Sequence, residues 1–353
     1  MTSPAPPPDP ALPAPAPLLE QGSLTTADGH QLPYELSGTR DGAPALYLHG
    51  GPGGTLGSGY RRNAPADGTL LVGMLQRRIQ EGSPGGGLAA QTTANLVGDI
   101  ELLREHLGID SWIVQGVSWG STLALAYAQA HPHRVRAVVL FAVTTTSRWE
   151  VDWITEGVGA LYPEAWDALA TLAEQRTQFR RDPLGHGRAE GSLRLVDAYR
   201  DMLADPDPQR VREAAAAWID WEDAHIGIGL PHPGTQGGLP RSEVQQLEFA
   251  RLVTHYWAHD GFVADWAAGW GAEPGSGLLG GMHRLAGVPG VLIHGRRDVS
   301  GPVRTPYLVH RAWPGSTLRI IEHEGHGGPE MAQLWRAAMT ELTGSGRAPS
   351  GRR

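Results

Sequence analysis

The sequence predicts an α/β fold, in which helices flank both faces of a mostly parallel sheet and a helical segment is inserted into it. From about residue 22 to residue 143, short apolar runs alternate with amphipathic stretches, a succession typical of the strands and helices of a parallel sheet. From about residue 147 to residue 281 the pattern becomes helical and aromatic, and eight of the 12 tryptophans fall there. The strand pattern then returns, which indicates an insertion into one sheet domain.

The first elements are short strands bounded by glycine and proline. The stretch "SLTTADGHQLPYEL" predicts a hairpin that turns at Asp28-Gly29. The runs "PALYLHG" and "TLLVGML" predict two buried strands, because they are apolar throughout rather than alternating.

The next elements are a helix and a strand–helix–strand unit. The stretch "TTANLVGDIELLREHLGI" predicts a helix capped by Thr92 or Thr93. Its apolar face consists of Leu96, Ile100, Leu103 and Leu107. After it, "SWIVQGVS" predicts a strand, "GSTLALAYAQAHP" a helix and "VRAVVLFAV" another strand. A strand, a helix and a strand at this spacing predict a mostly parallel sheet that is covered on both faces.

The inserted segment contains helical runs such as "EAWDALATLAEQ" and "VREAAAAWIDWEDAH". Its tryptophans are interpreted either as core filler of a small bundle or as the wall of an apolar pocket under a cap. After it, "GVPGVLIHG" and "STLRIIE" predict strands and "PEMAQLWRAAMTEL" predicts a closing helix. We therefore expect a core of residues 21–146 plus 285–343, with a helical cap over residues 147–284.

Composition excludes several classes of function. The chain has a net charge of −8 and lacks the excess of basic residues that nucleic-acid-binding proteins carry, so nucleic acid is not expected as a partner. The chain has no cysteine, which excludes disulfides, a thiolate nucleophile and cysteine-bound metals. All 29 basic residues counted as lysine or arginine are arginines, which excludes a phosphate-binding loop ending in GK[ST] and a Schiff-base lysine.

The two ends of the chain have the composition of tails. Residues 1–20 are rich in proline and alanine and lack the charged and apolar regions of a secretory signal, and residues 344–353 are polar and rich in glycine. No run reaches 18 apolar residues, so no membrane span is expected. We expect a cytoplasmic protein.

The stretch "GVSWGS" matches the G-x-S-x-G pattern of a nucleophile elbow, with Gly116, Ser118 and Gly120 at its three defining positions. In such an elbow the serine lies at the tip of a strained turn between a strand and a helix, and the small residues let the chains pass closely. A serine in an ordinary tight turn gives the same letters, so the interpretation depends on distant partners.

Those partners are an acid and a base. A serine hydroxyl becomes a good nucleophile when a histidine takes its proton and a carboxylate orients that histidine. Asp298 in "IHGRRD" and His326 in "EHEGHGG" each follow a predicted strand, so a parallel sheet presents both at the same edge as Ser118. The sequence therefore predicts a catalytic triad of Ser118, Asp298 and His326.

Other interpretations of the histidines stay open. His323 is an alternative base, and His323 with His326, or His131 with His133, are alternative metal ligands that lack further partners in the sequence. No metal or cofactor is expected.

An acyl-transfer site also needs two backbone N–H groups directed at the developing oxyanion. One comes from the residue after the nucleophile, here Trp119. The loop "HGG" after the strand "PALYL" supplies the second, for which the amide of Gly51 is the candidate.

Taken in order, these motifs resemble those of the proline iminopeptidase family of α/β-hydrolases. The resemblance extends from Leu18 to Leu342. It rests on "LHGGPGG", "TTANLVGDIELLREHLGI", "GVSWGSTLALAYAQAHPHRV", "VDWITEGVGALYPEAW", "AAAAWIDWED", "FARLVTHYW", "IHGRRD" and "EGH". It implies an α/β-hydrolase fold with an inserted helical cap domain, and a serine peptidase that removes an N-terminal residue, preferably proline, from a small peptide or related small molecule. The family's triad falls on the same three residues.

The resemblance also implies an amine-binding site. Family members hold the free amine of the substrate with cap glutamates, one of which matches Glu222 in "WIDWED". The second falls on Val253, where the chain has no acid. The family's "DQRGxGRS" loop is also changed to "LQRRIQEGS", with Leu75 in place of the aspartate and Arg78 in place of a glycine.

Three functions follow from these observations. The first is an aminopeptidase or amidase acting on a small N-terminal residue. The second is a hydrolase or cyclase of a specialised pathway, acting on an ester, a lactone or a tailored amide, which the changes at Val253 and in the Leu75–Arg78 loop favour. The third is a ligand-binding protein that keeps a triad without rapid turnover. The sequence leaves the oligomeric state open.

Overall fold

An eight-stranded sheet forms the centre of the protein in a computed structural model that describes residues 13–79, 87–184, 187–227 and 242–344. The strands are β1 (Leu18–Thr25), β2 (Gln31–Gly38), β3 (Ala43–Leu48), β4 (Thr69–Met74), β5 (Trp112–Val117), β6 (Val135–Phe141), β7 (Gly290–Gly295) and β8 (Ser316–Ile321). Their order across the sheet is β1-β2-β4-β3-β5-β6-β7-β8. Strand β2 pairs antiparallel with β1 and β4, and all other pairs are parallel. The mostly parallel sheet is therefore confirmed.

Ten α-helices are described around and above this sheet. They are α1 (Thr93–His106), α2 (Trp119–Ala130), α3 (Arg148–Thr155), α4 (Pro163–Arg176), α5 (Leu195–Met202), α6 (Pro208–Ile226), α7 (Glu243–Ala258), α8 (Gly277–Gly280), α9 (Arg304–Ala312) and α10 (Pro329–Gly344). Among the described residues, none of these helices combines the length and the apolar composition needed to cross a lipid bilayer.

The predicted hairpin turn at Asp28-Gly29 and the predicted helix cap at Thr92 are confirmed. The β1–β2 turn has Gly29 at a φ of +88°, a conformation that glycine adopts without a steric penalty. Helix α1 begins after Thr92, whose side chain accepts a hydrogen bond from the N–H of Asn95 at 3.2 Å. Strand β1 already begins at Leu18. The N-terminal tail expected over residues 1–20 is therefore shorter than predicted, and residues 1–12 and 345–353 lie outside the described part.

Helices cover both faces of the sheet because neighbouring strand residues point in opposite directions. Leu46 and Leu48 of β3 belong to one buried cluster, together with Leu96 of α1 and Leu123 of α2. Ala45 of the same strand belongs to a second cluster, which contains the following residues of α10: Met331, Trp335, Ala338 and Met339. This two-sided burial explains why the strands are apolar throughout.

Helices α3 to α8 follow β6 and precede β7, in the segment where the sequence becomes rich in tryptophan. Trp218 and Trp221 of α6 are 0% and 1% exposed, so they fill the interior of this helical layer. We propose that residues 147–284 form a cap inserted between two strands of the core, and the name cap is used for them below. Residues 185–186 and 228–241 of this segment lie outside the described part.

Candidate active site

Ser118 lies in a tight turn between β5 and α2 with a φ of +53° and a ψ of −123°. A non-glycine residue in this region is strained, and the surrounding structure must hold it there. Its N–H donates to the carbonyl of Phe141 at 2.9 Å. A Cβ added at Gly116 would lie 2.2 Å from the carbonyl oxygen of Gly120, and one added at Gly120 would lie 2.2 Å from that of Leu48. Both glycines are therefore required by the close passage of the chains, as an elbow demands.

Asp298 and His326 follow β7 and β8 and contact each other. The Nδ1 atom of His326 lies 2.8 Å from Oδ2 of Asp298, and both side chains are buried. The other oxygen, Oδ1 of Asp298, accepts the N–H of Gly301 at 2.9 Å. These two bonds fix the carboxylate, which in turn orients the imidazole.

Electrostatics in this pair favour a strong base. Burial disfavours the charged form of the imidazole, but the Asp298 carboxylate outweighs burial and raises the pKa of His326 above its ordinary value. Burial likewise opposes ionisation of the carboxyl group, yet His326 holds the pKa of Asp298 below its ordinary value. The arrangement is suited to taking a proton from a nearby hydroxyl group.

Ser118 lies at the same edge of the sheet as this pair, since β5, β7 and β8 run parallel and all three residues follow the carboxyl ends of their strands. The hydrogen bonds of the described residues join His326 to Asp298 but do not include one from the Ser118 hydroxyl to His326. Such bonds are often long in a free enzyme and shorten when substrate binds.

The competing histidine interpretations are less well supported by the structure. The Nε2 atom of His323 lies 3.2 Å from Oε2 of Glu330, and the two side chains are 64% and 51% exposed, so this residue is a surface partner. His131 and His133 follow α2 and precede β6, at the opposite edge of the sheet from Ser118. Among the described residues, no group of three or more potential ligands is arranged to hold a metal ion.

The loop that carries Gly51 passes directly beside the serine. A Cβ added at the preceding Gly50 would lie 3.3 Å from Cβ of Ser118 and 3.9 Å from its Oγ. This proximity meets the first requirement for a backbone N–H from this loop to reach an oxyanion formed at the serine.

Gln76 joins the two segments that carry the candidate oxyanion donors. Its Nε2 donates to the carbonyl of His49 at 2.9 Å, and its Oε1 accepts the indole N–H of Trp119 at 2.9 Å. The backbone N–H of Gln76 also donates to Nε2 of His49 at 3.1 Å, and burial lowers the pKa of His49 to about 4. The imidazole therefore stays neutral. No local pattern around Gln76 predicts this role, because its partners are distant in sequence.

Arg78, which stands where family members have a glycine, connects the loop of Gly51 to the cap. Its guanidinium donates to both carboxylate oxygens of Glu248 on α7, with Nε 2.8 Å from Oε1. It also donates to the carbonyls of Gly53 and Gly54 at 3.3 and 3.1 Å. A glycine at this position could make none of these bonds. The changed loop therefore ties the Gly51 segment to α7.

The cap places Glu222 near His326. Glu222 is 9% exposed on α6, and its carboxylate contributes to the raised pKa of His326, after the larger effects of burial and Asp298. Val253 on α7 is fully buried and apolar, so it offers no charge to a ligand. Glu222 therefore supplies a buried carboxylate on the cap side of His326.

Comparisons with known proteins are consistent with this architecture. Residues 44–330 match a family model described as the alpha/beta hydrolase fold. The chain is 37% identical to a Streptomyces coelicolor protein named "Probable proline iminopeptidase", over 87% of this chain and 90% of that protein. It is 35% identical to a proline iminopeptidase of Arabidopsis thaliana, over 90% of this chain and 77% of that protein.

A solved structure also shares the fold. The crystal structure of a proline iminopeptidase-related protein from Thermus thermophilus superposes with a TM-score of 0.53 at 19% identity, covering 92% of this chain and 98% of the other. At that identity the likeness concerns the fold alone. The sequence relatives carry the assignment: the chain is a serine hydrolase and belongs to the proline iminopeptidase family of α/β-hydrolases.

Proposed function

We propose that the protein is an aminopeptidase that releases an N-terminal proline, or another small N-terminal residue, from a small peptide or related amide through an acyl-enzyme. The observation that carries this proposal is the Asp298–His326 pair at 2.8 Å, at the same sheet edge as the strained Ser118. The names of the sequence relatives support the proline preference.

In the proposed reaction, Oγ of Ser118 attacks the carbonyl carbon of the N-terminal residue while His326 takes the hydroxyl proton. Asp298 keeps the imidazole oriented and stabilises its charged form. The amide C–N bond then breaks, and His326 returns the proton to the leaving amine. A water molecule, deprotonated by His326, hydrolyses the acyl-enzyme and regenerates the serine.

The oxyanion formed in both steps is held by the backbone N–H groups of Gly51 and Trp119. The contacts of Gln76 with the carbonyl of His49 and the indole of Trp119 support this role, since they fix both segments relative to each other. Preorganised donors of this kind contribute about 10²- to 10³-fold each to turnover.

Glu222 is proposed to bind the free amine of the substrate. Two observations support this role: Glu222 is buried on α6, and its carboxylate contributes to the raised pKa of His326. A charge-assisted hydrogen bond to an ammonium contributes about 1.5–3 kcal/mol. The free amine should therefore be a condition for efficient cleavage.

The test compares proline 4-nitroanilide with its N-acetylated form. Acetylation converts the ammonium into a tertiary amide and so removes the positive charge and both N–H groups, and we expect kcat/KM to fall by about 10- to 100-fold or more. Equal rates on both compounds would contradict amine binding. Brisk cleavage of esters and lactones with no prolyl cleavage would instead favour the specialised hydrolase.

Replacing Glu222 with glutamine should lower kcat/KM for proline 4-nitroanilide by about 10- to 100-fold. It should also move the acid limb of the pH profile to lower pH, because losing the carboxylate lowers the raised pKa of His326, and the neutral base then persists to lower pH. The measurement is kcat/KM as a function of pH.

Asp220→Asn is the matched control, since Asp220 is an exposed acid of the same helix. It should leave both the rate and the position of the limb unchanged. If the acid limb of the pH profile stays in place in the Glu222→Gln enzyme, Glu222 does not influence the pKa of His326.

A further inference from the structure

His225 of α6 is a buried imidazole with one partnered and one unpartnered nitrogen. It is 1% exposed, and its Nδ1 lies 2.8 Å from the hydroxyl oxygen of Ser300. Its Nε2 has no hydrogen-bond partner among the described residues. Buried polar atoms are rarely left in this state, so an unpartnered ring nitrogen beside a candidate active site indicates a place for a ligand group.

The bonds of Ser300 determine which ring nitrogen carries the proton. The Ser300 hydroxyl lies 3.4 Å from the backbone carbonyl of His225, to which it donates. Its oxygen is then free to accept from Nδ1–H of the same histidine. Burial lowers the pKa of His225 to about 3, and the nearby His326 adds to this effect, so the ring stays neutral. Nε2 therefore presents a lone pair and acts as an acceptor.

His225 and Glu222 lie one turn apart on α6, so their side chains share one face of the helix. The Glu222 carboxylate raises the pKa of His326, and the charges of His326 and Asp298 in turn act on the pKa of His225. Ser300 itself lies two residues after Asp298. The same helix face thus presents a carboxylate and a neutral nitrogen acceptor to the Asp298–His326 pair.

We infer that His225 is the second substrate-binding group of the cap, with its Nε2 accepting one N–H of the substrate's N-terminal ammonium while Glu222 accepts the other. This inference rests on the proposed function. The secondary ammonium of an N-terminal proline has two N–H groups, and two acceptors satisfy both. A primary ammonium has three, and the buried apolar Val253 accepts none. The pair therefore selects N-terminal secondary amines.

Two substitutions of His225 distinguish the contribution of Nδ1 from that of Nε2. His225→Asn keeps an amide near the Nδ1 position, within reach of Ser300, but has no group at the Nε2 position. His225→Gln places an amide oxygen near Nε2 and can still accept. We expect His225→Asn to lower kcat/KM on proline 4-nitroanilide by about 10- to 100-fold, mainly through KM, and His225→Gln to recover part of the loss.

The comparison substrate is 4-nitrophenyl cyclopentanecarboxylate, an ester that keeps the five-membered ring and lacks the nitrogen. Its hydrolysis should change less than about threefold in both variants, because it makes no bond to an amine acceptor. Equal losses on both substrates would overturn the inference, since His225 would then only position the Ser300 and Asp298 loop. No loss on either substrate would overturn it as well.

His310→Asn is the matched control. Nδ1 of His310 also lies 2.8 Å from a serine hydroxyl, that of Ser316, which donates to the carbonyl of Trp313 at 2.7 Å. The same kind of relay therefore exists on α9, away from the triad. Substituting His310 should leave unchanged the ratio of kcat/KM for proline 4-nitroanilide to kcat/KM for the ester.

The unmodified enzyme supplies an independent test that does not depend on a variant folding. N-methylalanine 4-nitroanilide has two ammonium N–H groups and alanine 4-nitroanilide has three, so the first should be cleaved with the higher kcat/KM. The reverse order would overturn the inference. If the unmodified enzyme hydrolyses N-acetylproline 4-nitroanilide as fast as the free amine, the proposed function itself fails, which is a different result.

Discussion

Substituting alanine for Ser118 should lower kcat on proline 4-nitroanilide by on the order of 10⁴- to 10⁶-fold while the protein stays folded. The reason is that the Asp298–His326 pair acts only through the hydroxyl it deprotonates, so removing the nucleophile removes the contribution of all three residues at once. Residual turnover would come from the oxyanion donors and from substrate binding. The measurement is kcat under saturating substrate, together with loss of labelling by a fluorophosphonate probe.

Ser118→Gly makes the test sharper, because it separates activity from backbone strain. Glycine adopts a φ of +53° without the clash that a Cβ causes, so this variant should be as inactive as Ser118→Ala but more stable than it, by about 1 kcal/mol. Thermal unfolding of the two variants measures the difference. Retention of a hundredth or more of the normal kcat in either variant would exclude Ser118 as the nucleophile.

Much of the fold and the elbow could be predicted because their causes are local. Apolar runs show which strands are covered on both faces, and Thr92 and Gly29 mark a helix start and a turn by their own chemistry. Gly116 is predictable for the same reason, since a Cβ added there would meet the carbonyl of Gly120 within the motif, whereas the constraint on Gly120 comes from the carbonyl of Leu48, which is distant in sequence. Chain topology predicts that Asp298 and His326 lie at one edge of the sheet, because the carboxyl ends of parallel strands meet there.

The contacts that surround the site could not be predicted, because they join residues far apart in sequence. His225 and Ser300 are 75 positions apart, and Arg78 and Glu248 are 170 apart. Nothing in the stretch around His225 distinguishes a substrate-facing imidazole from a core histidine.

Arg78 illustrates the limit of motif comparison. At the sequence level its substitution for a glycine leaves the shape of the pocket open. In the structure the same residue makes bonds to the Gly53 and Gly54 carbonyls and to Glu248, so the change adds a connection between the loop and the cap. The sequence alone does not show whether such a change disrupts the loop or stabilises it, because the bonding partners of Arg78 become known only from the structure.

Substituting methionine for Arg77 should lower the free energy of unfolding by about 3–5 kcal/mol. The guanidinium is 6% exposed and bonds to both oxygens of Asp99 on α1, at 2.5 and 2.8 Å, and to Asp28 in the β1–β2 turn at 2.6 Å. Without it, Asp99 is a buried carboxylate that has lost its cation. Denaturation by guanidinium chloride measures the loss.

Arg40→Met is the matched control, because Arg40 pairs with Glu20 at 3.2 Å while 62% exposed. A surface pair of this kind contributes about 0–1 kcal/mol, so this variant should unfold almost normally. The double variant Arg77→Met/Asp99→Leu then tests the cause. If the loss comes from the uncompensated charge of Asp99, removing that charge should restore most of the stability, because two apolar side chains can replace a buried ion pair at little cost. If the losses of the single variants simply add, the charge of Asp99 is not the cause, and Arg77 stabilises the fold through its packing and its bond to the hairpin.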